Sequence, residues 1–423
     1  MRYIRVEESG PLRGSVRISG AKNAALPILA GALLGTEPII LEEVPILRDV
    51  QVMLEVLQSL NVKIEYRDAT TVELDAGGVM SFEPPGDLMN QMRASFLVIG
   101  ALLGRFGIAR AEMPGGCNIG KRPIDLHLKG FRALGAEIIE EPNAITARAP
   151  KDGLIGNNVY LDFPSVGATQ NLIMAASLAR GQSRIENAAK EPEIVDLANF
   201  LNKMGARIKG AGTSTIIITG VPALGGAVHT IIPDRIEAST FLVGAAMTHG
   251  HVRVENVIAS HIRPVLAKLT EVGCDVIELD EEDAIEVCAE NRTLKATKIR
   301  TLPYPGFPTD VQAQFMALMT VCEGQSHVEE TVFENRFMHV EELAKMGALI
   351  ATEGHDAVIR GVDRLNGAKV NATDLRAGAA LVLAGLIARG TTEVHNVQHI
   401  ERGYYQLAEK LQALGGKAEL VER

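Results

Sequence analysis

The chain has 423 residues, more than one hydrophobic core usually serves, so two domains are expected. Aromatic residues make up only 4% with no Trp, and the formal net charge is -10, which argues against a base-stacking, phosphate-tracking binder of nucleic acid. Cys117, Cys274, Cys288 and Cys322 lack C-x-x-C spacing, residues 1–14 lack the apolar stretch of a signal peptide, and no apolar run is long enough to span a membrane, so a soluble, cytoplasmic protein is expected.

In chain order, the strand-like segment Val16-Arg17-Ile18-Ser19 breaks into Gly20-Ala21-Lys22-Asn23 ahead of an Ala/Leu-rich helix. The same opening returns at Val159 to Ser165, Val228 to Arg235 and Val370 to Arg376. The closing stretch recurs more plainly: Leu60-Asn61-Val62, Leu134-Gly135-Ala136, Met204-Gly205-Ala206, Val272-Gly273-Cys274, Met346-Gly347-Ala348 and Leu414-Gly415-Gly416. A spacing of about 70 residues marks an internal repeat, and the glycines read as helix C-caps. Each unit reads strand, helix, strand, helix, strand. Helices such as Ala168 to Ala179 and Ala377 to Ala388 are apolar nearly all round, so they are expected to be buried on most faces. The predicted fold class is therefore α/β, with helices inside and sheets outside and three units closing into each of two domains.

Polar residues gather at equivalent helix starts. At the first helix of each unit stand Lys22 and Asn23, Arg93, Ser165, Asp234 and Arg235, Asp310, and Asp374 and Arg376; at the second stand Arg48, Arg122, Glu191, Arg263, Arg336 and Arg402. Asp234 and Asp374 are read mainly as N-caps. Arginine at a helix start adds like charge to the positive end of the dipole, so the five arginines of the second set predict an anion clamp between the domains. His127, His229, His249 and His339 have no metal-ligand spacing and read as structural or surface residues. Cys274, Cys288 and Cys322 read as packed side chains, and Asp280 to Asp283 as a solvated turn.

Cys117 differs from all of these. It sits in Pro114-Gly115-Gly116-Cys117-Asn118-Ile119-Gly120-Lys121-Arg122-Pro123, a glycine-rich loop followed by two cations that favour the thiolate. The spacing Gly115 to Gly120-Lys121 fits a P-loop, but Arg122 stands where magnesium would need Ser or Thr. No other unit has a cysteine or a comparable glycine run there, so the loop adds chemistry to a shared anion-binding scaffold.

Across nearly its whole length the chain resembles the enolpyruvyl transferases. The matching motifs are Ser19 to Pro27, the Cys117 loop through His127, Ser165-Val166-Gly167-Ala168-Thr169, Pro308-Thr309-Asp310-Val311-Gln312, Phe333-Glu334-Asn335-Arg336-Phe337 and Asp374-Leu375-Arg376-Ala377-Gly378. The resemblance implies two inside-out α/β barrels, residues 22–233 and, discontinuously, 1–21 with 234–423. It also implies transfer of the enolpyruvyl group of phosphoenolpyruvate to the 3-hydroxyl of UDP-N-acetylglucosamine, releasing phosphate, as the first committed step of peptidoglycan synthesis. No metal or cofactor is implied, and the two small molecules are the expected partners of a monomer.

The chemistry requires an acid toward C3, a base for the hydroxyl and cations for the phosphate and carboxylate. By the resemblance, Cys117 is the acid, also able to add to C2, and Asp310 is the base. Lys22, Arg122 and Arg402 hold the phosphate, Arg336 and Arg376 complete the site, and Asn23 orients the sugar. The nucleotide sugar falls to Arg93, Arg122, Pro123, Ile124, Asp125, Leu126, Ser165, Val166, Gly167, Asp310 and Val332. Phe163 and Arg48 stand where lysine is usual in the family, and Phe163 removes a cation from the diphosphate site. A sister transferase with another acceptor and a noncatalytic ligand-binding paralogue remain alternatives. The acceptor tested separates the first, and the presence of both Cys117 and Asp310 weighs against the second.

Overall fold

The computed structural model describes residues 2–112 and 124–422, which divide into two compact units. One is formed by residues 20–112 and 124–232, the other by residues 2–19 and 233–422.

Both units repeat one sheet plan. In residues 158–219, strand Asn158–Tyr160 lies parallel to Gln182–Glu186, Thr215–Thr219 pairs antiparallel with Gln182–Glu186, and Arg207–Lys209 lies at the far edge. The repeat therefore adds a fourth strand to the expected strand, helix, strand, helix, strand unit, inserted between the second and third. Val72–Asp75, Ala144–Arg148, Ala284–Cys288 and Asp356–Arg360 fill that place in four other repeats. In the last repeat it is filled from the opposite end of the chain: Arg2–Glu7 lies between Thr391–His395 and Lys417–Glu422, antiparallel to both.

Two opening strands are exchanged where the chain passes between units. Arg13–Arg17 precedes the helix Lys22–Gly31 but pairs in parallel with His251–Glu255, while Val228–Thr230 precedes Arg235–Met247 but pairs with Ile39–Glu42. The sheet Ile108–Glu112, Ala144–Arg148 and Glu137–Glu140 has three strands among the described residues.

The first helix of each repeat lies in the core. Lys22–Gly31, Val98–Phe106 and Val166–Ala176 serve one unit, and Arg235–Met247, Gln312–Met319 and Leu375–Ile387 pack on one another in the other. All of Gln312–Met319 is buried, as is Ile236 through Met247, which is why these helices show no polar stripe. The second helices are amphipathic and cover the outside. Arg263–Val272, for example, buries Val265, Leu266, Leu269 and Val272, one face at helical spacing, and ends on Gly273 at φ 117°. In the first repeat Asn61 takes the equivalent place at φ 71°, a conformation that Asn tolerates better than most residues. Among the described residues no helix is long and apolar enough to cross a membrane.

Candidate active site

Asp310 lies in the short 3-10 turn Thr309–Val311 that leads into the core helix Gln312–Met319. Its carboxylate is shared by two arginines: Arg336 Nη2 donates to Oδ1 at 2.9 Å and Arg376 Nη2 to Oδ2 at 3.2 Å. Both arginine side chains are almost closed to solvent, at 3% and 2% exposed, whereas Asp310 is 27% exposed. Two buried cations thus grip the carboxylate from behind and leave part of it open.

Several contacts fix this cluster. The Arg336 guanidinium lies 5.4 Å from the centre of the Phe333 ring, and that of Arg376 lies 5.4 Å from the Tyr404 ring. Burial alone would lower the Arg376 pKa, but Tyr404, Asp310 and Asp234 raise it overall, so the cation persists. Glu330, 1% exposed, accepts from Thr309 Oγ1 at 2.9 Å, Thr301 Oγ1 at 2.8 Å and the backbone N–H groups of Val332 at 2.8 Å and Phe333 at 3.2 Å. One buried carboxylate therefore shapes both the Asp310 turn and the Val332 loop. Sequence reasoning passes over Glu330, because a single glutamate after a strand carries no signal until these bonds are seen.

Asp234 and Asp374 cap the other two core helices of this unit as expected. Asp234 accepts from the backbone N–H of Ile236 and Glu237, and Asp374 from those of Arg376 and Ala377. Arg402 departs from the helix-start pattern: it follows the helix Val397–Ile400 and precedes Leu407–Ala413 by five residues. The next residue, Gly403, lies so close to the Leu375 side chain that a Cβ there would sit 2.2 Å from Leu375 Cδ1. This packing holds the Arg402 loop against the start of the Arg376-bearing helix. Arg336 likewise precedes its helix, His339–Lys345, by three residues.

The other unit brings together a second set. Lys22 opens the core helix Lys22–Gly31 and is 8% exposed; its Nζ lies 3.2 Å from Asp49 Oδ2 in the first turn of Arg48–Ser59. Asn23 follows Lys22 and is the one partly exposed residue of that helix. Ser165 caps Val166–Ala176 through Ala168 N–H, with Val166 and Gly167 partly exposed in its first turn. Ile124 is buried ahead of Asp125–Ala133, Asp125 is exposed and Leu126 is half-buried. Arg93 opens the 3-10 turn Arg93–Leu97. Cys117, Arg122 and Pro123 lie outside the described residues.

Of the five arginines expected in the clamp, Arg336 pairs with Asp310, and Arg48 and Arg263 are engaged on the surface. Arg48 bonds Glu55 at 3.0 Å and Gln91 at 3.0 Å, and Arg263 bonds Glu278 at 3.0 Å, with side chains 49% and 63% exposed. A neighbouring carboxylate supplies the counter-charge that an arginine near a positive helix end requires, so these two need no ligand. Phe163 is 45% exposed.

His127, His229 and His339 are packed in the fold, and His249 is exposed. His127 Nδ1 accepts from the Asn171 side-chain amide at 2.8 Å, which places its proton on Nε2, and His229 Nε2 lies 3.0 Å from buried Asp196. His339 is buried, and burial pushes it down to about 4 against the opposing pull of Asp374. Cys274 and Cys322 are buried and their thiols are pushed up to about 12, again by burial first. Among the described residues no cluster of His, Cys, Asp and Glu is arranged to hold a metal.

The EPSP synthase (3-phosphoshikimate 1-carboxyvinyltransferase) family profile matches residues 6–411. The chain belongs to this family of enolpyruvyl transferases. It is 64% identical over 422 residues to a UDP-N-acetylglucosamine 1-carboxyvinyltransferase of Finegoldia magna, covering 100% of this chain and 99% of that one. It is 58% identical to a UDP-N-acetylglucosamine 1-carboxyvinyltransferase 1 of Caldanaerobacter subterraneus, covering 97% and 98%. The enolpyruvyl transferase NikO from Streptomyces tendae has a similar fold, with TM-score 0.88 at 24% identity over 99% of this chain and 98% of that one. An EPSP synthase from Acinetobacter baumannii gives TM-score 0.76 at 18% identity, with both chains fully covered.

Proposed function

We propose that this enolpyruvyl transferase moves the enolpyruvyl group of phosphoenolpyruvate onto the 3-hydroxyl of UDP-N-acetylglucosamine and releases phosphate, opening peptidoglycan synthesis in the cytoplasm. Full-length identity of 64% to a relative named for that reaction carries the choice of acceptor. The Asp310–Arg336–Arg376 cluster supports the choice of chemistry.

The reaction is an addition followed by an elimination. The sugar oxygen bonds to C2 of phosphoenolpyruvate as its hydroxyl loses a proton and C3 gains one. The tetrahedral product then loses a C3 proton and its C2–phosphate oxygen bond breaks, restoring the double bond and freeing phosphate. Asp310 takes the hydroxyl proton on its partly exposed carboxylate. Cys117 supplies the proton to C3 and can add to C2 itself. Lys22, Arg122 and Arg402 hold the phosphate, and Arg336 and Arg376 both orient Asp310 and complete the anionic site. Asn23, Arg93, Pro123, Ile124, Asp125, Leu126, Ser165, Val166, Gly167 and Val332 bind the nucleotide sugar. Phe163, standing where lysine is usual in the family, leaves the diphosphate fewer cations.

Mass spectrometry of the nucleotide product tests this assignment. Incubation with both substrates should yield UDP-N-acetylglucosamine heavier by one enolpyruvyl group; an unchanged nucleotide sugar in a folded preparation refutes it.

A further inference from the structure

Behind Asp310 lies a buried polar knot that the transfer chemistry does not use directly. Tyr404 Oη lies 2.9 Å from Thr240 Oγ1 and 3.1 Å from Gln314 Nε2, and Gln314 Nε2 also reaches Thr240 Oγ1 at 3.1 Å and the backbone carbonyl of Asp310 at 3.0 Å. Thr240 and Gln314 are wholly buried and Tyr404 is 3% exposed.

Proton accounting orients the hydroxyl pair. Thr240 Oγ1 lies 2.9 Å from the carbonyl of Ile236 and donates there, so it must accept from Tyr404. Gln314 Nε2 has two hydrogens for three acceptors in reach, so it donates to the Asp310 carbonyl and to the Thr240–Tyr404 hydroxyl pair, shared between their oxygens. Burial raises the Tyr404 pKa despite Arg376 beside it, so the phenol keeps the proton that this pattern needs. The Tyr404 ring meanwhile lies against the Arg376 guanidinium, which holds Asp310 Oδ2. Asp310 is therefore gripped twice from one side chain: at its backbone carbonyl through Gln314 and at its carboxylate through Arg376.

We propose that Tyr404, Gln314 and Thr240 are positioning residues for Asp310, setting the direction of its carboxylate without touching substrate. The proposal rests on the transferase reaction above, in which Asp310 accepts the hydroxyl proton. Each member of this buried network holds its neighbours in place, so loss of one frees Asp310 to turn. A misplacement of about 1 Å is enough to cost on the order of a hundredfold in rate.

Steady-state kinetics on Tyr404→Phe, Thr240→Val and Thr240→Ser test this, with thermal melting of each. Tyr404→Phe keeps the ring against Arg376 and removes only the hydroxyl. It should lower kcat about tenfold, with KM for each substrate within about twofold, because orientation rather than affinity is lost. Thr240→Val should do the same, and Thr240→Ser, which keeps the acceptor oxygen, should recover most of the rate. Should Tyr404→Phe fail to fold, the Thr240 pair decides alone. Unchanged kcat in the folded variants, or equal losses in Thr240→Ser and Thr240→Val, overturns the positioning role. An inactive parent enzyme would instead count against the transferase reaction itself, so the two failures are told apart.

Discussion

Lys22 Nζ lies 3.2 Å from Asp49 Oδ2, with the two side chains only 10% and 5% exposed. Asp49 therefore holds a buried cation at the start of a core helix, where the dipole disfavours it. Asp49→Ala should destabilise the protein by about 3–5 kcal/mol, because it leaves the Lys22 charge buried without this partner. Pairing it with Lys22→Met should restore part of that loss in urea melts. A single variant as stable as the parent would show that the pair contributes nothing.

Asp310 separates two like charges that are otherwise confined together. Asp310→Ala should lower kcat by about 10²–10⁴-fold through loss of the base and should also lower the melting temperature, since Arg336 and Arg376 would remain buried without their shared carboxylate. Asp310→Asn keeps an acceptor but neither the charge nor the base, so it should melt above Asp310→Ala while staying equally slow. Turnover within about twofold of the parent in either variant would remove Asp310 from the chemistry.

Thiol reactivity should be confined. Cys274 and Cys322 are pushed up to about 12 by burial and offer almost no thiolate at neutral pH. The two cations that follow Cys117 favour its thiolate, so a fosfomycin-type epoxide should modify Cys117, as read by peptide mass spectrometry, and protect neither buried thiol from later labelling in denaturant. Cys117→Ala should abolish turnover, and Cys117→Asp should keep some, since a carboxyl can also give a proton. Modification only at other cysteines contradicts the role given to Cys117.

His339 titrates near 4 in the folded chain and near 6.5 when unfolded, so the unfolded state binds the extra proton between those values. Its contribution is neutral above about pH 6.5, and stability falls as pH drops from there toward 4, by on the order of a few kcal/mol. Buried Glu237, whose pKa burial raises, works in the opposite sense as acid is added. Comparing His339→Gln with the parent in urea melts between about pH 4 and 7 isolates the histidine: the variant should lose less stability on acidification. Parallel pH profiles would contradict this.

The repeat is legible because each unit ends on the same local signal, a helix closing on a left-handed residue such as Gly273. Helices inside and sheets outside follow from the missing polar stripe in stretches such as Ala377 to Leu386, all of it buried in the fold. The fourth strand is not legible. Its residues follow a tight turn and look like the start of the next unit, and in the last repeat Arg2–Glu7 arrives from the other end of the chain, a pairing that no local pattern encodes. The same divide runs through the site. Asp310, Arg336 and Arg376 can be marked by motif, but their mutual bonding, and the support from Glu330, Gln314 and Tyr404, joins residues far apart in sequence. Arg48 and Arg263 read as available to an anion because Glu55 and Glu278 reach them only in the folded chain.

Phosphate release with phosphoenolpyruvate and either of two acceptors tests the central claim most directly. UDP-N-acetylglucosamine should support steady release that disappears in Cys117→Ala, while shikimate 3-phosphate should support none. Release with shikimate 3-phosphate alone, or with neither acceptor in a folded preparation, would contradict the account.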